Sequence, residues 1–180
     1  MRIFTVLLLF LVCYSDLSAQ SYNSKILHVF EGNWTGSATA YFPRDTTKEN
    51  RIESIEAAGK KVLKDTYIEI SSTWTQANQD YRTLLTLWNY HVRKDSFQIL
   101  YLYDNWPGRV DYTLSYDSTA RTFYGYDTFM ARGNIPAEEK VEWVISEDGN
   151  EIRSTEYNHL STDPKDYWPK TFEFVLKRVD

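Results

Sequence analysis

The side chains best suited to chemistry are few and spaced for an extended chain. "EIRSTEYNH" (151–159) places Arg153, Thr155, Tyr157 and His159 at every second position, so a strand would carry all four on one face. A cation, a phenol and an imidazole together suit acid–base work, or recognition of a ligand carboxylate. Arg82 stands likewise two residues before Leu84. The plainer alternative for both arginines is solvent, or pairing with Asp or Glu of a neighbouring strand. An enzyme would draw on Arg82, Arg153, Tyr157 and His159. No nucleophile–base–orienter set, metal-ligand spacing or phosphate loop accompanies them, so no catalytic or metal-binding residue is assigned.

Aromatic side chains form the second group. They make up 16% of the 180 residues, with 14 Tyr and 6 Trp. Trp34, Trp88, Tyr90, Tyr101, Tyr112, Tyr126 and Trp143, with Arg153 and His159, are the candidate ligand-binding residues. They either line a cavity for a small hydrophobic or amphipathic molecule or fill the core themselves. Trp34 either closes one end or touches the ligand. Trp106 in "DNWPG" and Trp168 in "STDPKDYWPK" sit in loops, where an aromatic can serve a glycan- or protein-binding surface.

The elements that must position these residues read as strands. "YRTLLTLWNYH" (81–91), "SFQILYLYD" (96–104), "VDYTLSY" (110–116), "TFYGYDTF" (122–129), "KVEWVIS" (140–146), "EIRSTEYNH" (151–159) and "KTFEFVLKRV" (170–179) follow one another, most across short turn-rich links. Neighbours joined this way form antiparallel hairpins. All five prolines fall in links or at strand edges. "VLKDTYIEISSTW" (62–74) reads as one further strand. "KENRIESIEAAGKK" (48–61) has helical propensity and an i, i+3 pair, Ile52 and Ile55, but 51–57 is assigned as strand. "SKILHVF" (24–30) reads as a short amphipathic helix. Strands 81–91 and 96–104 are apolar on both faces, so their outer face needs cover from the N-terminal helix or a partner chain. Nine or ten sequential antiparallel strands predict an all-β, up-and-down barrel, with a two-sheet sandwich as the rival.

Residues 1–20 read as a secretory signal peptide cut near Ala19 or Gln20: Arg2, an apolar run over 3–12, then "DLSAQ". The run is shorter than the roughly 20 residues that span a bilayer. The one cysteine, Cys13, lies inside it without a lipoprotein context. The exported domain, 21–180, then has neither thiol chemistry nor disulfides. A net charge of −5 without a basic block argues against a nucleic-acid partner. The sequence does not set the oligomeric state.

One stretch carries a resemblance. "GNWTGSATAYFP" resembles the first-strand motif of nitrobindin-like and other lipocalin-like bacterial barrels: Gly32, Trp34 and Gly36, then the small residues Ala38 and Ala40, then Phe42 and Pro43. "AGKKVLKDTYIEI" is similar to a hairpin of secreted lipocalin-like families of unknown function. The resemblance implies a barrel over most of 24–180 and a small-molecule ligand. Nitrobindins hold haem through a histidine on the last strand. Here "KTFEFVLKRV" has none, and His28, His91 and His159 lie elsewhere, so no cofactor is expected.

Overall fold

A computed structural model describes residues 24–78 and 80–179, with 106–109 by their backbone. The segment read as a signal peptide and Cys13 lie outside the described residues, as does the Trp106 side chain. Ten strands follow a helical segment that ends in a 3-10 turn, Leu27–Phe30: β1 (Gly32–Ala40), β2 (Arg51–Val62), β3 (Tyr67–Gln76), β4 (Tyr81–His91), β5 (Ser96–Tyr103), β6 (Trp106–Asp117), β7 (Thr122–Ala131), β8 (Ile135–Ile145), β9 (Glu151–Leu160) and β10 (Lys170–Val179). Each pairs antiparallel with its sequence neighbours, and β1 pairs with β10, so the sheet closes into a barrel. Closure leaves no edge strand, which a ten-strand open sheet would have had to shield. Among the described residues, no helix is long and apolar enough to cross a membrane.

Period-two patterning sets the inner face. On β2, Glu53, Ile55 and Ala57 point inward and Ile52, Ser54 and Glu56 outward. Ile52 is 65% exposed and Ile55 only 1%, which separates the pair that helical spacing would have joined. The region read as one strand over 62–74 is divided. Leu63, Lys64 and Asp65 adopt positive φ (51°, 58° and 64°) and turn the chain from β2 into β3.

The N-terminal turn closes one end of the barrel. The Phe30 ring stacks on Trp88 at 4.4 Å and meets Trp143 edge-on at 6.0 Å. The Trp34 indole donates to the Phe30 carbonyl (3.2 Å). Arg178 donates to the carbonyls of Glu31 (2.5 Å) and Val29 (2.8 Å) while lying 4.3 Å over the Trp34 ring. Gly59 makes this fit possible: a Cβ there would sit 1.8 Å from the Phe30 carbonyl oxygen. The turn therefore plugs the barrel from below. It does not cover the outer faces of β4 and β5, where Leu85, Leu87 and Leu100 stay half-buried and Leu102 is exposed.

The small residues of β1 have a structural use. A Cβ on Gly36 would lie 1.8 Å from the Val175 carbonyl oxygen of β10, so glycine lets the two closing strands approach. Ala38 is buried, and neither it nor Gly36 nor Ala40 lines the cavity described next.

Candidate functional site

Above the plug the barrel holds a cavity of about 280 Å³. It is reached from the end where β2, β4 and β10 begin and β3, β5 and β9 finish. Phe30, Trp34 and Trp143 form its floor; Ile55, Ile70, Leu84 and Ile152 form its lower wall. Trp74, Phe172 and Phe174 form an aromatic side, with Trp74 stacked on Phe172 at 5.7 Å and edge-on to Phe174 at the same distance. Period-two strands with alternate apolar side chains put these groups inside, where their burial holds the fold.

A polar belt crosses the upper half. Trp74 Nε1 donates to Ser72 Oγ (2.8 Å), which donates to the Leu84 carbonyl (3.2 Å). Arg82 Nη2 donates to Glu53 Oε2 (2.7 Å), and Arg51 lies 3.6 Å from the other oxygen of that carboxylate. The Arg82 guanidinium sits over the rings of Trp74 (4.8 Å) and Tyr103 (6.0 Å). On the facing wall, the Tyr112 hydroxyl donates to Glu139. With its amide turned to match its neighbours, Asn158 donates to Glu139 Oε1 (2.9 Å) and to the Tyr157 carbonyl (3.2 Å).

Glu156 lines the cavity beside this network, and its carboxyl makes no hydrogen bond or ion pair among the described residues. Burial, helped by the Glu139 charge and opposed by Arg82, pushes its pKa up to about 8, so it keeps its proton at neutral pH. Burial also raises Glu139, against the Tyr112 hydrogen bond, with Asp127 adding to the rise. Burial raises Tyr103 to about 12 and lifts Tyr101 and Tyr112 well above the ordinary phenol.

Of the nine expected ligand-binding residues, Trp34, Tyr101 and Trp143 line the cavity. Trp88 is fully buried beneath Phe30. Tyr90 lies at the plugged end and donates to Asp95 (2.5 Å). Tyr112 stands behind Tyr101, edge-on at 5.7 Å, and reaches the site only through Glu139. Tyr126 is 52% exposed on the outer wall. Arg153 is also outside, 3.5 Å from Glu151. The His159 ring stacks on Trp168 at 5.2 Å, with Nδ1 3.0 Å from the Tyr167 carbonyl. Arg82, Arg153, Tyr157 and His159 therefore do not converge: only Arg82 faces the cavity. Trp168 packs between His159 and the Lys140 ammonium (3.6 Å).

The correction on β9 is a matter of parity. Its inner face is Ile152, Ser154, Glu156 and Asn158; the Arg153–His159 face looks out. The two aliphatic residues of the strand, Ile152 and Leu160, share the parity of Glu156 and mark the inner face in the sequence. Glu53 was equally readable, two residues before Ile55. No protein-family model matches the chain, and no curated protein matches it. Fold and site together define a closed antiparallel barrel, plugged at one end, around an aromatic-walled chamber.

Proposed function

We propose that the chain is an exported, lipocalin-like binding protein that holds a small amphipathic molecule in the barrel. The cavity carries the reading: about 280 Å³, apolar at the floor, polar toward the mouth, and near the lower end of small-molecule sites, about 300 Å³. A filled core would have left no such chamber. The apolar run and small-residue cut site within residues 1–20 support export. Binding is favoured over catalysis because Arg153, Tyr157 and His159 stand on the outer wall, away from Arg82.

Native mass spectrometry of the mature protein tests the proposal, together with titration of its tryptophan fluorescence. Trp34, Trp74 and Trp143 all line the chamber, so an occupant should change their emission. A co-purified small molecule, or saturable quenching by amphipathic probes, is the expected result. Neither a bound mass nor any saturable response would overturn it.

A further inference from the structure

Among the described residues, two arginines and one acidic side chain line the cavity: Arg51, Arg82 and Glu156. Both arginines are directed at one carboxylate, Glu53, which is 2% exposed. The Arg82 guanidinium is also covered by the rings of Trp74 and Tyr103. Glu139 accepts from Tyr112 and Asn158. Glu156 alone among the three faces the chamber without a hydrogen bond or ion pair from the described residues. A buried carboxyl without a partner is costly when ionised and is matched by a cation brought to it.

Resting on the cavity reading above, we propose that the ligand is an organic amine, bound as its ammonium against Glu156 with its hydrocarbon part over the aromatic wall. Trp74, Tyr101, Tyr103 and Phe172 line the same space and give the hydrocarbon part an aromatic surface. A carboxylate ligand fits less well. Its natural partner, Arg82, is held by Glu53, and it would enter beside Glu139 and Glu156. A neutral ligand would leave Glu156 as the uncharged acid and gain no ion pair from it.

Binding has a proton balance. The empty site holds Glu156 as the neutral acid. When R–NH3+ enters, the acid gives its proton to solvent and the carboxylate pairs with the ammonium, so one proton leaves for each amine bound. The groups facing Glu156 are Glu139 on β8, Arg82 on β4, Tyr101 and Tyr103 on β5 and Tyr112 on β6. On β10, Phe172 lies opposite it in register, and Lys170 and Glu173 pair with each other. The tyrosines stay neutral below pH 9, and an alkylamine, like lysine at about 10.4, stays charged. Glu156, with the raised Glu139 beside it, then sets how affinity changes between pH 6 and 8. Amine affinity should rise about tenfold per pH unit below the Glu156 pKa and level off above it.

The test is calorimetric titration of the purified protein with three probes that share a phenethyl group: phenethylamine, phenethyl alcohol and 3-phenylpropanoate. Wild type and Glu156→Gln are titrated at pH 7.5, with wild type repeated at pH 6 and in buffers of different ionisation enthalpy. The expected result is an amine at least tenfold tighter than the alcohol or the acid, with close to one proton released. Glu156→Gln should lose the amine's advantage over the alcohol. If the alcohol or the acid binds as tightly as the amine, the inference falls and the cavity reading stands. If none of the three binds, the inference falls, and the cavity reading is decided by the native mass and the fluorescence titration. The wild-type pH series decides the point even if the variant does not fold.

Discussion

Arg82 reaches across the inside of the barrel to Glu53, Nη2 to Oε2 at 2.7 Å, passing over β3, which separates their strands. The Trp74 ring of β3 supports the guanidinium at 4.8 Å. Three consecutive strands are thus fastened on their concave side by one ion pair and one ring.

Removing half of this pair should cost more than removing all of it. Arg82→Met leaves Glu53 buried with only Arg51 nearby, and a loss of about 3 kcal/mol is expected. The double variant Glu53→Met/Arg82→Met replaces both charges with apolar volume and should recover most of it. Urea denaturation of the two single variants and the double gives the coupling directly.

Stability of the ligand-free protein should fall as pH rises from about 5 to 8. Glu156 binds its proton more tightly folded, with its pKa raised to about 8, than unfolded. The folded state therefore holds more protons across that window, and stability declines with rising pH. The raised Glu139 acts in the same direction. Glu156→Gln should flatten the decline, seen as a smaller change in Tm between pH 5.5 and 8. At the acid end, Asp163 and Glu173 have lowered pKa values, from Arg44 and Lys170 respectively, so stability should also fall below about pH 4.

Gly59→Ala should unseat the plug. Its Cβ would lie 1.8 Å from the Phe30 carbonyl oxygen, and a backbone atom cannot swing aside as a side chain can. The turn must lift, separating Phe30 from Trp88. A loss of about 3 kcal/mol is expected, a fall in Tm of roughly 6–12 °C, with easier iodide quenching of the floor tryptophans. Ala58→Ser, one residue away on the outer face, is the control.

At the mouth, Arg44 ties the link after β1 to the link before β10. Its Nε donates to both Asp163 oxygens (3.1 and 3.0 Å), and its Nη2 donates to the Asn158 carbonyl (2.7 Å). Its side chain retains some exposure, so the tie should contribute only about 1 kcal/mol to stability. Its effect should appear in exchange: Arg44→Ala should speed probe entry and exit severalfold in stopped-flow fluorescence, with little change in Kd.

The barrel was legible because most of its strands alternate cleanly and follow one another across short links. The site was less legible, for local reasons. On β9 the outer face carries Arg153, Tyr157 and His159, side chains that look chemically richer than Ser154 or Asn158. Chemistry drew attention to one face, while Ile152 identified the other as inward. Tyr126 stands outside for a related reason: the inward position is its neighbour Gly125, where a Cβ would press on Leu114 and Val141. Pairing with an acidic side chain was one reading of Arg82, but its partner needed the register of three strands: β2 and β4 both pair with β3, and the curl of that meander brings Glu53 and Arg82 together on its concave side.

Closure also dictates how the molecule comes into being. The pairing that seals the barrel joins its first strand to its last, with Asn33 opposite Val179. Until β10, the final ten-residue strand, is free to pair, β1 and β9 remain open edges and the chamber has no complete wall. Sealing the chamber is therefore the most non-local pairing of the barrel, and a chain whose β10 is absent or unpaired should expose two strand edges to aggregation.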